Sequence, residues 1–524
     1  MKNSARVRLV IVHSHYRPGG VRRVIELALP ALAGARRPGL DAVVLAGGEA
    51  PDAAWLAALR ASVPGVDVTC AIAPAAGYRS EARGPASAVA RRVRAFAAGL
   101  LGGARPADTV VWAHNLGLGR NLTLARALTQ ACARRGVPLV AHHHDWWFDN
   151  RWQRWPEMRR AGFGSLGAVA RTVFAAAPTV RHATINRGDH RILARHLGAR
   201  AGWLPNLAAA PSAPPTAAVR QAQDWLRETL GGRAPVWLVP CRLLRRKNLA
   251  EALLLTRWLR PEAWLVTTGG VSSADERAYA DTLRAAGMRH GWRLRLGVLA
   301  EAEAVKPAVP ALLAASEVVL LTSLQEGFGL PNLEAAAAGR PLIVRTLPNI
   351  APDLATFGFR FPQAYDEVWI ERGLFDARAE TARQERRWQA WRAGLPRRCR
   401  ALAGRPPWLD AGGGPVAFSR LTLTAQLQVL AHAPEDSWAR CAALNPLLRR
   451  WRSRAGAGAL AASRWPHSAE RWLGAAAYAR RFAQLLHAAP GAVADDAPER
   501  IADEFFRAKL AWENQYPLLW SRAP

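Results

Sequence analysis

The sequence predicts two α/β domains, each built on a parallel β-sheet covered by helices on both faces, followed by a helical C-terminal extension. Short runs of almost continuous apolar residues alternate with longer amphipathic runs over residues 7–205. The same alternation restarts after residue 206 and ends near residue 376. Strands that are apolar on both faces are typical of parallel sheets, because helices cover both sides. A length of 524 residues leaves room for about three domains of ~150 residues each.

Residues 1–205 are predicted to form the first doubly wound domain. Its apolar runs predict strands at Arg8–His13, Ala42–Ala46, Val66–Ile72, Thr109–Ala113, Leu139–His142 and Val180–Ile185. Its amphipathic runs predict helices at Val21–Leu32, Ala86–Leu101, Asn121–Arg135 and Asp189–Leu197. This alternation of strand and helix is the pattern of a sheet with crossover helices.

Residues 206–375 are predicted to form the second doubly wound domain. The Ala/Pro-rich stretch 208–218 is typical of a linker and separates it from the first. The predicted strands are Val236–Val239, Trp264–Thr267, Arg293–Val298, Val318–Thr322 and Leu342–Val344. The predicted helices are Leu249–Leu259, Asp275–Ala286, Ala308–Ala315 and Leu333–Ala338.

Residues 376–524 change character and predict a helical extension that packs back on the two domains. Helical periodicity is present at Arg378–Arg392, Leu421–Leu430, Ala469–Leu486 and Ile501–Glu513.

The charge is strongly basic and unevenly spread. The chain has 71 basic and 40 acidic residues, a formal net charge of +31. Residues 1–205 contain 29 basic and 11 acidic side chains, whereas residues 206–375 contain 19 and 16. A basic first domain suggests an anionic partner, which could be a membrane surface, a phosphorylated acceptor or nucleic acid. Solvated arginines are the simpler alternative. The nearly neutral second domain argues against nucleic acid.

The cysteines and the N-terminus favour a cytoplasmic protein, with peripheral contact at the inner membrane face left open. Five cysteines lie far apart and form no CxxC pair, which suits a reducing compartment. His13 and His15 interrupt the first apolar run, so that run predicts a buried strand rather than a signal peptide. The sequence contains no apolar run of 18 residues that would predict a membrane-spanning helix.

The segment Glu326–Glu334 carries the most functional information. It follows an apolar strand signal and precedes a helix signal, and Gly327 and Gly329 lie between them. A loop with bare backbone N–H groups next to a helix N-terminus can bind phosphates and sugar hydroxyls. The sequence places Glu334 in the first turn of that helix.

Two basic residues, Arg242 and Lys247, follow the first strand of the second domain. Both leave a strand end, where side chains can reach a pair of phosphates. Lysine is rare in this chain, which has only Lys2, Lys247, Lys306 and Lys509. A compact ammonium at this point is therefore interpreted as functional, and a solvated basic turn is the alternative.

Arg242, Lys247 and the segment Glu326–Glu334 together resemble the donor site of the retaining glycosyltransferases of family 4, the glycosyl transferases group 1. These enzymes have the GT-B fold, in which two Rossmann-like domains face a cleft. Their pair of glutamates separated by seven residues is matched by Glu326 and Glu334. The resemblance implies that Glu334 holds the ribose of a nucleotide and that Glu326 faces the donor sugar. It also implies substrate-binding positions at Gly327, Phe328, Gly329 and Leu330.

The N-terminal half extends this resemblance, which implies that residues 1–205 form the acceptor-side domain. Gly19 and Gly20, between the first strand and the first helix, resemble the family's glycine pair near the donor diphosphate. His144 takes the place of a histidine that lies beside the anomeric carbon in the family, and Asp145 follows it. The resemblance covers about residues 7–350.

The run His142–His144 also raises the question of a metal. Successive strand residues point to opposite faces, which would scatter three adjacent ligands, so no metal site is predicted. The tryptophans that follow could stack on acceptor sugars or lie at a lipid surface, or they could be buried under the helical extension. These are Trp146, Trp147, Trp152 and Trp155.

The predicted reaction transfers a hexosyl group from a nucleotide-diphosphate sugar to a hydroxyl of a glycan or lipid-linked glycan, with retention at the anomeric carbon. Without a DxD-type metal motif, Arg242, Lys247 and helix amides would neutralise the departing diphosphate, and no cofactor beyond the donor is expected. An acceptor in bacterial envelope or exopolysaccharide synthesis is favoured. The alternatives are an enzyme of the same fold with other chemistry, such as an epimerase, and a basic nucleic-acid-binding protein.

Overall fold

A computed structural model describes residues 6–35, 39–208, 213–271, 274–300, 306–407, 413–489 and 491–520. The chain forms two compact units. The first combines residues 1–209 with residues 394–402 and 470–509, and the second combines residues 210–393 with residues 403–469 and 510–524. The C-terminal region therefore contributes helices to both units.

The first unit is built on a seven-stranded sheet in which all neighbouring strands are parallel. The strands are β1 (Arg6–Val12), β2 (Gly39–Gly47), β3 (Asp67–Ile72), β4 (Thr109–His114), β5 (Leu139–His143), β6 (Val180–Thr184) and β7 (Ala201–Trp203). Their order across the sheet is β3-β2-β1-β4-β5-β6-β7. The helices in this stretch are α1 (Gly20–Ala33), α2 (Ala53–Ala61), α3 (Ala86–Leu100), α4 (Leu122–Arg135), α5 (Trp155–Arg160), α6 (Leu166–Val173) and α7 (Arg187–Leu197).

The second unit is built on a six-stranded parallel sheet with the order β10-β9-β8-β11-β12-β13. The strands are β8 (Val236–Val239), β9 (Trp264–Thr267), β10 (Leu294–Arg295), β11 (Val318–Leu321), β12 (Leu342–Arg345) and β13 (Gln363–Tyr365). The helices are α8 (Thr216–Leu230), α9 (Leu249–Leu259), α10 (Ala274–Arg289), α11 (Val309–Ala315), α12 (Leu330–Ala337) and α13 (Ala351–Phe357).

The remaining residues are mostly helical. The helices are α14 (Ala377–Gly394), α15 (Arg397–Arg400), α16 (Leu423–Ala431), α17 (Pro434–Cys441), α18 (Pro446–Gly456), α19 (Ala469–Leu473), α20 (Ala475–Leu486), α21 (Ala497–Leu510) and α22 (Pro517–Trp520). A short antiparallel pair, β14 (Trp369–Ile370) and β15 (Val416–Ala417), belongs to the second unit.

Local sequence explains why these elements form where they do. Every residue of β4 and β5 is buried, as expected for strands that helices cover on both faces. The side chain of Asn121 caps α4 by accepting a hydrogen bond from the backbone N–H of Leu124, at 3.0 Å. Gly136, with φ of 67°, ends the same helix in the left-handed region that glycine adopts at little cost.

The predicted fold class is confirmed: two doubly wound parallel sheets are present, together with a helical C-terminal region. The predicted bounds of β8, β9 and α9 agree with the structure. The sequence did not predict β7 and β13, which have three residues each and are too short to show a pattern. The predicted linker 208–218 overlaps the start of α8, and its residues 209–212 lie outside the described residues.

The strand order places the predicted functional residues at one edge of each sheet. In the first sheet the order changes direction between β1 and β4, and in the second between β8 and β11. Loops leave the carboxyl ends of such neighbouring strands in opposite directions and open a crevice in which ligands bind. His114 is the last residue of β4, and His144 follows β5 directly. The segments after β8 and β11 carry Lys247 and Glu326.

Across the described residues, the structure contains no helix with the length and apolar character required to cross a bilayer.

Candidate functional site

The basic turn Arg245–Lys247 follows β8 and lies beside the loop that follows β11. Two hydrogen bonds from the Thr322 hydroxyl, to the carbonyl oxygens of Lys247 (2.9 Å) and Asn248 (3.1 Å), hold the two segments together. Asn248 adopts a left-handed φ of 48°, so the chain turns sharply before α9 begins. The turn is therefore fixed by its own backbone and by the neighbouring strand.

Glu326 is the centre of an ion-pair cluster in this turn. Nζ of Lys247 pairs with its Oε1, and Nη1 of Arg246 lies 2.9 Å from its Oε2. Arg246 also donates to the carbonyl oxygen of Gln325, at 2.7 Å. Burial acts to raise the pKa of Glu326, but Arg246 and Lys247 outweigh it and hold the pKa at about 2. The carboxylate is thus charged at neutral pH and neutralised by two cations.

The structure does not bring Arg242 into this cluster. Its side chain is exposed, and its Cα and Cγ lie against Gly269, in the loop after β9. Arg246 lies with Lys247 at Glu326, and sequence reasoning missed it, whereas the predicted contact of Arg242 with a diphosphate stays a prediction. The signal was present in the run of three basic residues at 245–247, of which Arg245 pairs with Glu276 on α10.

The loop Glu326–Gly329 is shaped to present backbone groups. Asn349 donates to the carbonyl oxygen of Glu326, at 2.6 Å. Gly329 has a φ of 79°, and a Cβ there would lie 2.5 Å from Nδ2 of Asn332, so the position requires glycine. Phe328 is buried with its ring 6.2 Å from Phe357, so its backbone rather than its side chain is what the loop can offer to a ligand.

The helix after this loop begins earlier than predicted. α12 starts at Leu330, with Pro331 in its first turn, rather than at Leu333. Glu334 is consequently the fifth residue of the helix, not a first-turn residue as predicted, and its side chain is exposed. Glu334 thus lies on α12, about one helical turn beyond the backbone amides of the loop Glu326–Gly329.

A histidine cluster occupies the carboxyl edge of the first sheet. Nδ1 of His114, at the end of β4, lies 3.0 Å from Nε2 of His144, just after β5. The ring of His142 lies 4.3 Å from that of His144, between centroids. The ring of His13, just after β1, lies 6.2 Å from that of His114. The structure thus brings His144 together with His13, His114 and His142.

Burial makes these histidines neutral. It lowers the pKa of His144 to about 4, although Asp145 acts in the opposite direction. Burial, followed by the neighbouring His15 and His144, lowers the pKa of His13 to about 3. The pKa values of His114 and His142 are lowered for the same main reason. At neutral pH the cluster therefore offers imidazole donors and acceptors rather than positive charge.

Three of these imidazoles could hold a metal ion, since one nitrogen each from His114, His142 and His144 lie within 4.8 Å of one another. Strand alternation does separate His143, which faces away and places Nε2 3.0 Å from Nδ1 of His182. However, the same alternation puts His142 and His144 on one face of the sheet, where their rings lie close together. The indole N–H of Trp112 donates to Nδ1 of His142, at 3.3 Å, a contact that a metal-bound imidazole would lose. The absence of a metal stays a prediction.

Asn115 fixes the backbone at His144 and Asp145. Its Oδ1 accepts hydrogen bonds from the backbone N–H of His144 (2.9 Å) and of Asp145 (3.2 Å). Asn115 itself has a left-handed φ of 58°. The Asp145 carboxylate lies 3.5 Å from the guanidinium of Arg151. This arrangement orients His144 through its main chain.

Gly19 and Gly20 lie at the start of α1. Both are exposed, and a Cβ at Gly20 would meet no atom within 4 Å. The backbone at this helix N-terminus is therefore accessible, as close approach of a phosphate would require. The predicted role of the two glycines stays a prediction.

Three of the four tryptophans that follow His144 in the sequence are core residues of the first unit. Trp146, Trp147 and Trp152 are buried, and Trp147 lies 5.6 Å from the ring of Phe506 on α21. Trp155 is half-buried and stacks on Trp147. Burial under the C-terminal helices, rather than sugar stacking, accounts for the three buried indoles.

Residues 227–359 match the family model described as Glycosyl transferases group 1. This segment contains the basic turn, Glu326 and α12, so the ion-pair cluster lies within the matched part of the second unit. Mannosylglucosyl-3-phosphoglycerate synthase from Petrotoga mobilis is 24% identical over 253 residues, which cover 46% of this chain and 47% of that protein. The match thus spans about half the length of this curated relative.

Two solved structures are similar to this chain. The N-terminal domain of trehalose-6-phosphate phosphatase from Candida albicans has a TM-score of 0.50 at 10% identity, covering 93% of this chain and 97% of that one. An α,α-trehalose-phosphate synthase (UDP-forming) from Burkholderia vietnamiensis has a TM-score of 0.49 at 15% identity, covering 92% and 99%. The likeness to the Candida albicans domain, together with the two parallel sheets, supports the predicted GT-B fold.

Proposed function

We propose that this protein is a retaining glycosyltransferase of family 4, which transfers a hexosyl group from a nucleotide-diphosphate sugar to a hydroxyl acceptor. One observation carries the proposal. Lys247 and Arg246 are held beside Glu326 where the second sheet changes strand order, within the segment that matches the glycosyltransferase model. Cations fixed at that point can bind a diphosphate and stabilise the charge that it gathers as it leaves.

The neighbouring loop and helix supply the remaining donor contacts in this proposal. Backbone N–H groups of Gly327, Phe328, Gly329 and Leu330 face the sugar or the phosphates. Glu334 holds the ribose hydroxyls through its exposed carboxylate. Glu326 faces the sugar ring and also keeps Lys247 in place, so that one carboxylate serves both substrate and cation.

His144 acts in this proposal as a neutral group that positions the donor sugar or stabilises positive charge on its ring. Its pKa of about 4 makes it a weak base at neutral pH. The acceptor proton therefore passes to the leaving phosphate on the same face of the sugar, which gives retention. No metal takes part in this scheme, because Lys247 and Arg246 supply the positive charge.

We also propose that the acceptor is a glycan or lipid-linked glycan and that the enzyme works in the cytoplasm, in contact with the anionic inner membrane face. The excess of basic residues in the first 205 positions supports an anionic surface as partner. The name of the Petrotoga mobilis relative, a synthase of a mannosylglucosyl compound, is consistent with sugar transfer.

A cell-free assay tests the proposal. The purified chain is incubated with a panel of nucleotide-diphosphate sugars and candidate glycans, and release of nucleoside diphosphate is measured together with the anomeric configuration of the product. Release that requires an acceptor and gives a retained anomer is the expected result. Isomerisation of the donor without an acceptor would instead identify an epimerase. A donor that binds equally well to Lys247→Ala and to the unmodified protein would contradict the assigned site.

A further inference from the structure

A cavity of about 350 Å³ lies in the first unit, outside the donor residues described above. Its wall includes Arg79, Arg120 and Arg160, and one carboxylate, Glu157. The loop before α4 and the short helix α5 form much of this wall. We refer to it as the arginine cavity.

The positive charge around this cavity is not balanced by the protein. In the part of the chain that the structure describes, Arg79, Arg120 and Arg160 form no ion pair with a carboxylate. Nε of Arg120 is buried and has no hydrogen-bond partner there. Three lining cations against one lining carboxylate leave two positive charges. Arg160 is exposed and Arg79 donates to the carbonyl oxygen of Ala82, so the cost of an unneutralised charge falls chiefly on the half-buried Arg120.

A fourth cation lies near the cavity. Arg154 is 6% exposed, and the one hydrogen-bond partner of its guanidinium among the described residues is the carbonyl oxygen of Leu118, at 3.1 Å. Burial, followed by Arg120 and Arg151, lowers the pKa of Arg154 to about 9. Arg154 and Arg120 thus repel each other, and an anion in the cavity would relieve that repulsion.

The N-terminus of α4 adds partial positive charge to the wall of the arginine cavity. Leu122 and Thr123, the first residues of this 14-residue helix, line the cavity, and the first turn contains no acidic side chain. Asn121 caps the helix, and its Nδ2 donates to the carbonyl oxygens of Ala75 (2.9 Å) and Gly77 (2.8 Å). The helix dipole favours negative charge at this end.

The arginine cavity lies next to the histidine cluster, with which it shares wall residues through a second cavity. A second, smaller cavity is lined by His13 and His114 and also by Arg120 and Asn121, which line the arginine cavity too. Arg120 therefore lies between the arginine cavity and the space beside His13 and His114. This relationship lies wholly within the first unit.

We propose that the arginine cavity binds a phosphate group carried by the acceptor. A phosphate monoester carries a charge of about −1.5 to −2 at neutral pH, which matches the two uncompensated positive charges, and its oxygens can accept several charge-assisted hydrogen bonds. The identification of the ligand as the acceptor rests on the proposed glycosyltransferase function, whereas phosphate binding itself does not.

Binding of glycerol 3-phosphate, with glycerol as the uncharged comparison, tests the proposal by titration calorimetry on the full chain. Vesicles containing phosphatidic acid, whose phosphate is a monoester, test whether the phosphate is carried by a lipid. The variants are Arg120→Gln and Arg160→Gln. Arg159→Gln is the matched control, because Arg159 is an exposed neighbour on α5 that does not line the cavity. Circular dichroism establishes that the variants are folded.

The expected result is saturable binding of at least one phosphate-bearing probe, weakened about tenfold or more by either cavity variant and unchanged by Arg159→Gln. Binding of neither probe, or equal weakening by Arg159→Gln and Arg160→Gln, would overturn the proposal. Binding of uridine diphosphate is measured in parallel. If Lys247→Ala abolishes uridine diphosphate binding and Arg120→Gln does not, the donor site is as proposed. A failure to bind the phosphate probes then concerns the arginine cavity alone.

Discussion

Nζ of Lys247 forms an ion pair with Oε1 of Glu326, and the two side chains are 8% and 13% exposed. The lysine belongs to the turn after β8 and the glutamate to the loop after β11, so this pair joins the two strands between which the sheet changes direction. Each charge makes the other stable in a poorly solvated place. The cation is consequently held in position before a donor arrives, which is what electrostatic catalysis of diphosphate departure requires.

Replacing Lys247 by alanine should reduce turnover by about 100-fold or more, because a preorganised cation at the leaving diphosphate stabilises the transition state by a few kcal/mol. Steady-state rates of nucleoside diphosphate release measure the effect. Arg245→Ala is the matched control, since Arg245 lies in the same turn but pairs with Glu276 instead of Glu326. Similar losses in both variants would show that the turn needs its shape rather than the ammonium.

Replacing Glu326 by glutamine should alter the acid stability of the protein. The pKa of Glu326 is lowered from 4.5 to about 2 in the folded state, so its contribution is complete above pH 4.5 and is lost as the pH falls towards 2. The lowered pKa corresponds to about 3 kcal/mol. Denaturant unfolding of both proteins across this range should show their difference in unfolding free energy shrinking as the pH falls. A difference that does not vary with pH would contradict the ion-pair assignment.

The sequence predicted the sheets well because their strands are apolar on both faces. β4, β5 and β8 are buried throughout, so a short apolar run identified each of them without ambiguity. The sequence also predicted the loop that contains Gly329. The structure explains why glycine is needed there, because the backbone is left-handed and a Cβ would clash with Asn332.

Contacts across neighbouring strands could not be predicted in the same way. The sequence predicted that Arg242 and Lys247 reach a diphosphate together, but it did not predict that Arg246, in the turn at 245–247, pairs with Glu326. The pairing of His114 with His144 depends on the register of β4 against β5, which aligns His114 with His142. No local pattern contains that information.

The buried histidines should make the first unit sensitive to mild acid. The folded pKa values are about 3 for His13 and about 4 for His144 and His182, below the usual 6.5. The unfolded chain therefore binds more protons below pH 6.5, and stability is lost as the pH falls from 6.5 towards 4. Each histidine adds about 1.4 kcal/mol per pH unit to the slope, so these three together give about 4.

Urea unfolding followed by tryptophan fluorescence at pH 7, 6 and 5 measures this slope. His13→Asn should reduce the pH dependence of the unfolding free energy by the contribution of one histidine, about 1.4 kcal/mol per pH unit, and leave the rest unchanged. A free energy of unfolding that stays constant between pH 7 and pH 5 would show that the imidazoles are solvated enough to accept protons in the folded state.

Removal of metal ions should leave turnover unchanged, because Lys247 and Arg246 provide the positive charge at the diphosphate in the proposed mechanism. Dialysis against EDTA followed by the transfer assay in metal-free buffer checks this. Loss of activity that zinc restores would instead indicate a metal held by His114, His142 and His144, whose nitrogens lie close enough for coordination.

Replacing Phe506 by alanine should destabilise the first unit by about 3–5 kcal/mol, the usual cost of removing a buried aromatic ring. Phe506 lies on α21, is 2% exposed, and packs against Trp147 and Trp152 with ring centroids 5.6 and 5.5 Å apart. Thermal and urea unfolding measure the loss. Arg507→Ala, at the next and exposed position of the same helix, should have little effect because it removes no core contact. If the two variants unfold alike, α21 contributes nothing to the core, and the tryptophans after β5 would need another explanation for their burial.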